Sequence, residues 1–136
     1  MRRLALLAVL ALGVAACGGG SGTDARIDVK WGTKGGTMVP VSYDVAPSGA
    51  VKTSGSHATA AITTVEEAKL SSLVRAAFRR LKSEQCRGSF PDESSMFITA
   101  LGRTVTVRGS CEPKFTWLYG ELMAVASALR SSPPRA

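Results

Sequence analysis

Cys17, Cys86 and Cys111 are the three cysteines of a 136-residue chain whose one histidine is His57. With Cys17 set aside, Cys86 and Cys111 form an even pair. Closing a loop of about 26 residues between them would stabilise a small fold by roughly 3 to 4 kcal/mol. A two-cysteine metal site is the rival use, but it lacks a second histidine and a Cys-x-x-Cys spacing, so a disulfide is expected and no metal. Catalysis by a Ser-His pair needs an imidazole held in place, whereas His57 sits in SGSHATA, a small-residue run with no apolar neighbours to fix it. Asp92 and Glu93 are adjacent acids in FPDESS. Paired carboxylates can share acid–base work, yet neighbours in a polar loop read as solvated turn residues. The chain contains no G-x-S-x-G elbow, H-E-x-x-H, P-loop or G-x-G-x-x-G fingerprint. The expectation is a protein that is not an enzyme, with no catalytic residues and no cofactor.

The surroundings of Cys17 are more specific. Arg2 and Arg3 precede a run from Leu4 to Ala16 that is apolar except for Gly13. Basic start and short apolar core are the layout of a signal peptide. Only 13 residues separate Arg3 from Cys17, whereas a helix needs about 20 to cross a bilayer. Val14-Ala15-Ala16-Cys17, followed by a Gly-rich stretch, resembles the lipobox of bacterial lipoproteins. The resemblance implies diacylglycerol on the Cys17 thiol, cleavage before Cys17, and further acylation of the new amino group. It implies an exported protein anchored by lipid to a bacterial membrane and facing the periplasm or the cell exterior. Two or three acyl chains hold stably where one is marginal, because each buried methylene contributes about 0.8 kcal/mol. Removal of residues 1–16 leaves 15 basic against 10 acidic residues, a net charge of +5. Nucleic acid is disfavoured as a partner by the compartment.

Residues 17–25 read as the lipidated cysteine and a Gly/Ser tether, GGGSGTDA, spanning on the order of 15 Å as a coil. Residues 26–130 read as one globular domain, and 131–136, SSPPRA, as a disordered tail. Within the domain, Ile27, Val29 and Trp31 alternate with Arg26, Asp28 and Lys30, the period of a half-buried strand. After Gly35-Gly36, Val39, Val41, Tyr43 and Val45 alternate again, and a third strand follows near 50–53. Thr64 to Glu67 has capping-box spacing, and Leu70, Leu73, Val74, Ala77, Phe78 and Leu81 predict a helix over about 65–84. Continued helical phase would turn Cys86 away from that stripe, so the bridge requires the helix to stop first. Met96, Ile98 and Ala100, then Val105 and Val107, form a hairpin with a turn at Gly102-Arg103. The same parity carries Cys111 to the helix side. Pro113 suits a first helical turn, and Phe115, Leu118, Leu122, Val125 and Leu129 give the closing helix its stripe, with Gly120 weakening it. The fold expected is α+β: an antiparallel sheet of about five strands, two helices on one face in the order β3-α-β2-α, and one disulfide.

Arg75, Arg79 and Lys82 share another side of the first helix, a solvated basic face able to attract anionic polymers or headgroups. Trp117 and Met123 fall outside the stripe of the last helix. With Trp31 and Tyr119 they are the residues to inspect for an exposed apolar patch. Arg75, Arg79, Lys82 and Trp117 are thus the candidate interaction surface. Strand, Gly35-Gly36 turn, strand, the run from Leu70 to Leu81, Phe97 through Val107, and Leu118 with Leu122 resemble the emfourin-type inhibitors of thermolysin-like metalloproteases. That resemblance implies a protease inhibitor, here a lipid-tethered one; such inhibitors use an N-terminal segment to reach the protease cleft, whereas this chain's N-terminal end leads into the tether, and no inhibitory residue is carried over. The leading expectation is a membrane-anchored envelope lipoprotein that binds or scaffolds an envelope protein partner.

Overall fold

A computed structural model describes residues 25–57 and 60–131. Its strands are β1 (Val29–Lys34), β2 (Ser42–Val45), β3 (Ala50–Thr53), β4 (Ala60–Ala61), β5 (Glu84–Gln85), β6 (Ser95–Ala100) and β7 (Arg103–Arg108). Helix α1 (Thr64–Ala77) follows β4, and α2 (Pro113–Ser131) follows β7. The sheet runs β4-β3-β2-β1-β6-β7-β5. Neighbours are antiparallel except β5 and β7, which are parallel. An α+β fold with two helices and one disulfide is therefore present, but the sheet is mixed and has seven strands, not five antiparallel ones. The two additional strands are two residues long, too short to print a period. The parallel pair arises because α1 carries the chain from β4 at one edge to β5 at the other, a crossover no hairpin can make.

Helices and sheet share one core on one face of the sheet. Val29, Trp31, Tyr43, Val45, Val51, Ile98, Val105 and Val107 meet Leu70, Val74 and Phe78 of the first helical segment and Phe115, Leu118, Leu122 and Ala126 of α2. Trp31, fully buried, stacks on Tyr43 at 5.5 Å between ring centroids. Its indole N–H has no acceptor among the described residues, a cost of about 1–3 kcal/mol that ring burial must exceed. The opposite face carries Lys30, Lys34, Ser42, Asp44, Lys52, Phe97, Thr99, Thr104, Thr106 and Arg108, given the register and the two-residue period. It is polar because no helix covers it.

Several boundaries differ from the periodic reading, each for a non-local reason. Helix α1 ends at Ala77, passes through a 3₁₀ turn at Phe78–Arg80, and becomes extended at Leu81, so that the helical run stops four residues short of the expected end at 84. Arg103, 22 residues further on, donates from its two Nη atoms to the carbonyls of Leu81 (2.9 Å) and Phe78 (2.6 Å) and lies over the Phe78 ring. Carbonyls taken by a cation from another element end a helix that amphipathic spacing would continue. Release at Leu81 then brings Cys86 back to the core side, as the bridge requires. The capping box sits one residue earlier than its sequence spacing suggests. Thr63 Oγ1 accepts from the Glu66 N–H and the Thr63 N–H donates to Glu66 Oε2, since Glu67 is engaged elsewhere. Strand β2 starts at Ser42, leaving Val39 and Val41 outside the sheet. Helix α2 includes Ser131, the residue at which the tail was expected to begin. Residues 1–24, with the signal peptide, Cys17 and nearly all of the tether, lie outside the described residues, as do 132–136.

Candidate functional site

The first described residues are fastened to α1. Glu67, Ser71 and Arg75 lie one helical turn apart on one side of it. The Ile27 N–H donates to Ser71 Oγ at 3.0 Å, and Ser71 Oγ donates to Glu67 Oε1 at 2.6 Å. Arg26 Nε lies 3.1 Å from Glu67 Oε2, with Glu67 fully buried and Arg26 partly in solvent. Arg75 Nη2 donates to the Ala25 carbonyl. A buried carboxylate is costly unless it is paired and hydrogen-bonded, and here its partners are Arg26, from the chain leaving the tether, and the hydroxyl of Ser71, which in turn accepts from the Ile27 N–H. The exit of the N-terminal segment is thus fixed beside α1, at the end of the sheet where Val29 pairs with Ala100.

Strand β1 runs from that end to the other, where Lys34 pairs with Ser95, a span of about 20 Å for six residues. Two loops meet at this far end. Ser94 Oγ donates to the Gly35 carbonyl at 3.1 Å. Gly36 approaches so closely that an added Cβ would lie 2.6 Å from the Asp92 carbonyl oxygen, and its φ of +69° is itself one that glycine favours. The second loop is braced at its base by the Cys86–Cys111 disulfide. Ser89 donates to the Cys86 carbonyl through Oγ at 2.8 Å. Beyond it the turn at Phe90 closes in both directions, Glu93 N–H to the Phe90 carbonyl and Phe90 N–H to Glu93 Oε2.

These constrained loops hold apolar side chains outward. Met38 is 73%, Val39 83% and Phe90 71% exposed, and Val41 is also exposed. They make up four of the six large hydrophobic residues exposed among the described residues, the others being Val65 and Trp117. Concentration on two touching loops separates this tip from the scattered apolar residues that every surface carries.

The expected interaction residues do not converge. Arg75 is spent on the Ala25 carbonyl. Arg79 lies in the 3₁₀ turn and Lys82 beyond it, so the three cations do not form one helix face. Trp117 is half exposed on α2 and distant in sequence from the tip, while Trp31 is fully buried. Tyr119 is partly buried and stacks on Phe115; burial, and then Tyr43, raise its hydroxyl above the ordinary tyrosine value. His57 is exposed, as is Asp92, and Glu93 is used to close its own turn. Among the described residues no three His, Cys, Asp or Glu side chains gather as a metal site, and no helix is long and apolar enough to cross a membrane. Cys86 and Cys111 are brought together as expected. The tip was not anticipated, because apolar residues beside a predicted strand are ordinarily counted as core. The one available signal was the Gly-Gly and Pro punctuation around Met38 and Val39.

No protein-family model, curated protein or solved structure matches the chain. Its function must therefore be argued from its own residues.

Proposed function

We propose that the chain is an exported lipoprotein, held to a bacterial membrane by lipid on Cys17, whose domain binds or scaffolds an envelope protein and is not an enzyme. The observation that carries this reading is the clamp on residues 25–27. The chain leaving Cys17 enters the domain at a fixed point, through Arg26–Glu67, Ile27–Ser71 and Ala25–Arg75, so a membrane anchor at Cys17 would keep that end of the domain within reach of the tether. The sequence motif VAAC and the Gly-rich stretch after it supply the anchor, and the disulfide suits an oxidising compartment.

Cys17→Ser is the direct test. Cells fed an alkyne-bearing fatty acid should label the wild-type protein and not the variant, and the intact mass of the wild type should begin at an acylated Cys17. An unlipidated wild-type N-terminus, or equal labelling of Cys17→Ser, would overturn the reading. The alternative of a tethered inhibitor of a thermolysin-like metalloprotease has less support. Residues 25–27, at the end such inhibitors send into a cleft, are engaged here beside α1.

A further inference from the structure

We propose that Cys111 is the site at which an external thiol opens the Cys86–Cys111 bridge: the attacking thiolate bonds to the Cys111 sulfur, and Cys86 leaves as a thiolate. Which sulfur of a disulfide is attacked depends on access and on which thiolate leaves more readily. The two halves of this bridge differ in both respects. Cys111 is exposed, whereas Cys86 is buried and belongs to the core. Gly109 packs against the Cys86 half, where an added Cβ would lie 2.8 Å from the Cys86 Cβ and 3.1 Å from its Sγ. A thiolate therefore meets the bridge from the Cys111 side. The inference stands on the bridge alone and is independent of the anchor at Cys17.

The leaving group is prepared on the other side. Burial alone would oppose a charge on Cys86, but the Cys111 N–H donates to Cys86 Sγ at 2.9 Å. A donor already aimed at that sulfur stabilises the negative charge that develops as the S–S bond breaks. Cys111 stands just ahead of α2, where a helix start would favour a thiolate, yet Glu112 occupies that end. Its Oε1 accepts from the Lys114 N–H and its carbonyl from the Thr116 N–H, while Pro113 has no N–H to offer. The Glu112 carboxylate also opposes a second negative charge at the neighbouring residue. One S–S bond forms as another breaks, and the electron pair of the broken bond goes to Cys86 Sγ, which takes a proton from water. A second equivalent of thiol then attacks the mixed disulfide at the reductant's own sulfur, leaving both cysteines reduced and the reductant as a disulfide. Opening loosens the base of the loop that carries Phe90. What then ties Cys86 to β7 is its N–H bond to the Arg108 carbonyl and the two-residue ladder of β5.

The oxidised protein as purified from its cells is the material for the test, with any free thiol at Cys17 first blocked by iodoacetamide. Brief exposure to 2-mercaptoethanol, enough to open a small fraction of the bridges, is quenched with N-ethylmaleimide and followed by peptide mass spectrometry. The result expected is the mercaptoethanol adduct on Cys111 with N-ethylmaleimide on Cys86, about tenfold or more over the reverse pairing. Trypsin should also cut this trapped species after Arg87 several-fold faster than the oxidised protein. Adducts on Cys86, equal amounts on the two cysteines, or unchanged cleavage after Arg87 would each overturn the proposal. So would an opening rate that climbs with urea as steeply as global unfolding does, since exchange would then occur in the unfolded chain, where the two sulfurs have no distinct surroundings.

Discussion

Gly32→Ala is expected to destabilise the domain by about 3 kcal/mol or more, the upper end of what overpacking costs. Gly32 lies inside β1, paired with Phe97 on one side and Ser42 on the other. A Cβ there would stand 2.0 Å from the Val41 carbonyl oxygen and 2.7 Å from the Ser42 Cα. Both atoms are backbone, so no rotamer change relieves the overlap. Strands β1 and β2 would have to part, and β1 is the strand that joins the two halves of the sheet. The loss should appear as a drop in Tm of more than about 10 °C in thermal unfolding. Gly120→Ala is the control: nothing lies within 4 Å of its added Cβ, in the middle of α2, and it should raise stability by about 0.5–1 kcal/mol. Equal effects of the two substitutions would show that the close approach at Gly32 is not what limits that position.

The second large effect is expected from the bridge. Replacing Cys86 and Cys111 together by alanine should cost about 3 kcal/mol, since the cross-link spans 25 residues and removes the corresponding freedom from the unfolded chain. For a domain with a total margin of about 5–15 kcal/mol, that is a large share. Urea unfolding of the reduced wild type should coincide with that of the double variant, and the native protein should have no alkylatable thiol at either position before reduction. A local effect should accompany the global one. Gly109 packs against Cys86, where an added Cβ would lie 2.8 Å from the Cys86 Cβ, and the loop that begins at Cys86 carries exposed Arg87. Trypsin should therefore cut after Arg87 in the double variant well before the domain unfolds. Unchanged denaturation midpoints would refute the energetic argument, and unchanged cleavage the local one.

What could be read from the residues alone was whatever depends on short-range periodicity. Val29 and Trp31 alternate and are core; Leu70, Val74 and Phe78 recur at helical spacing and are core; the cysteine count alone suggested the bridge. Val39 and Val41 alternate equally well and yet stand in solvent. Their loop is held at Gly35 by Ser94, 59 residues away, and at Val41 by Thr33, whose N–H donates to the Val41 carbonyl, and period two carries no information about where a ladder ends. The overrun of the first helix has the same origin, because Arg103 takes its terminal carbonyls. The misplaced capping box reflects a competition between two adjacent glutamates. Glu67 is drawn into the core by Arg26 and Ser71, leaving Glu66 to cap. Of the candidate site, the cysteines were legible and the apolar tip was not, because hydrophobicity does not itself distinguish a residue that faces inward from one kept outward by bracing elsewhere.

The edges of the sheet have a consequence for life on a surface. Lipid anchoring would confine copies of this domain to two dimensions and raise their encounter frequency, conditions under which a long unpaired strand invites stacking of sheet upon sheet edge to edge. The outermost strands are Ala60–Ala61 and Glu84–Gln85, each offering room for only one or two intermolecular backbone bonds, and the second places a charge at the border. Such truncated margins are a recognised defence against polymerisation. They would let the protein accumulate densely on a membrane while remaining a set of separate domains.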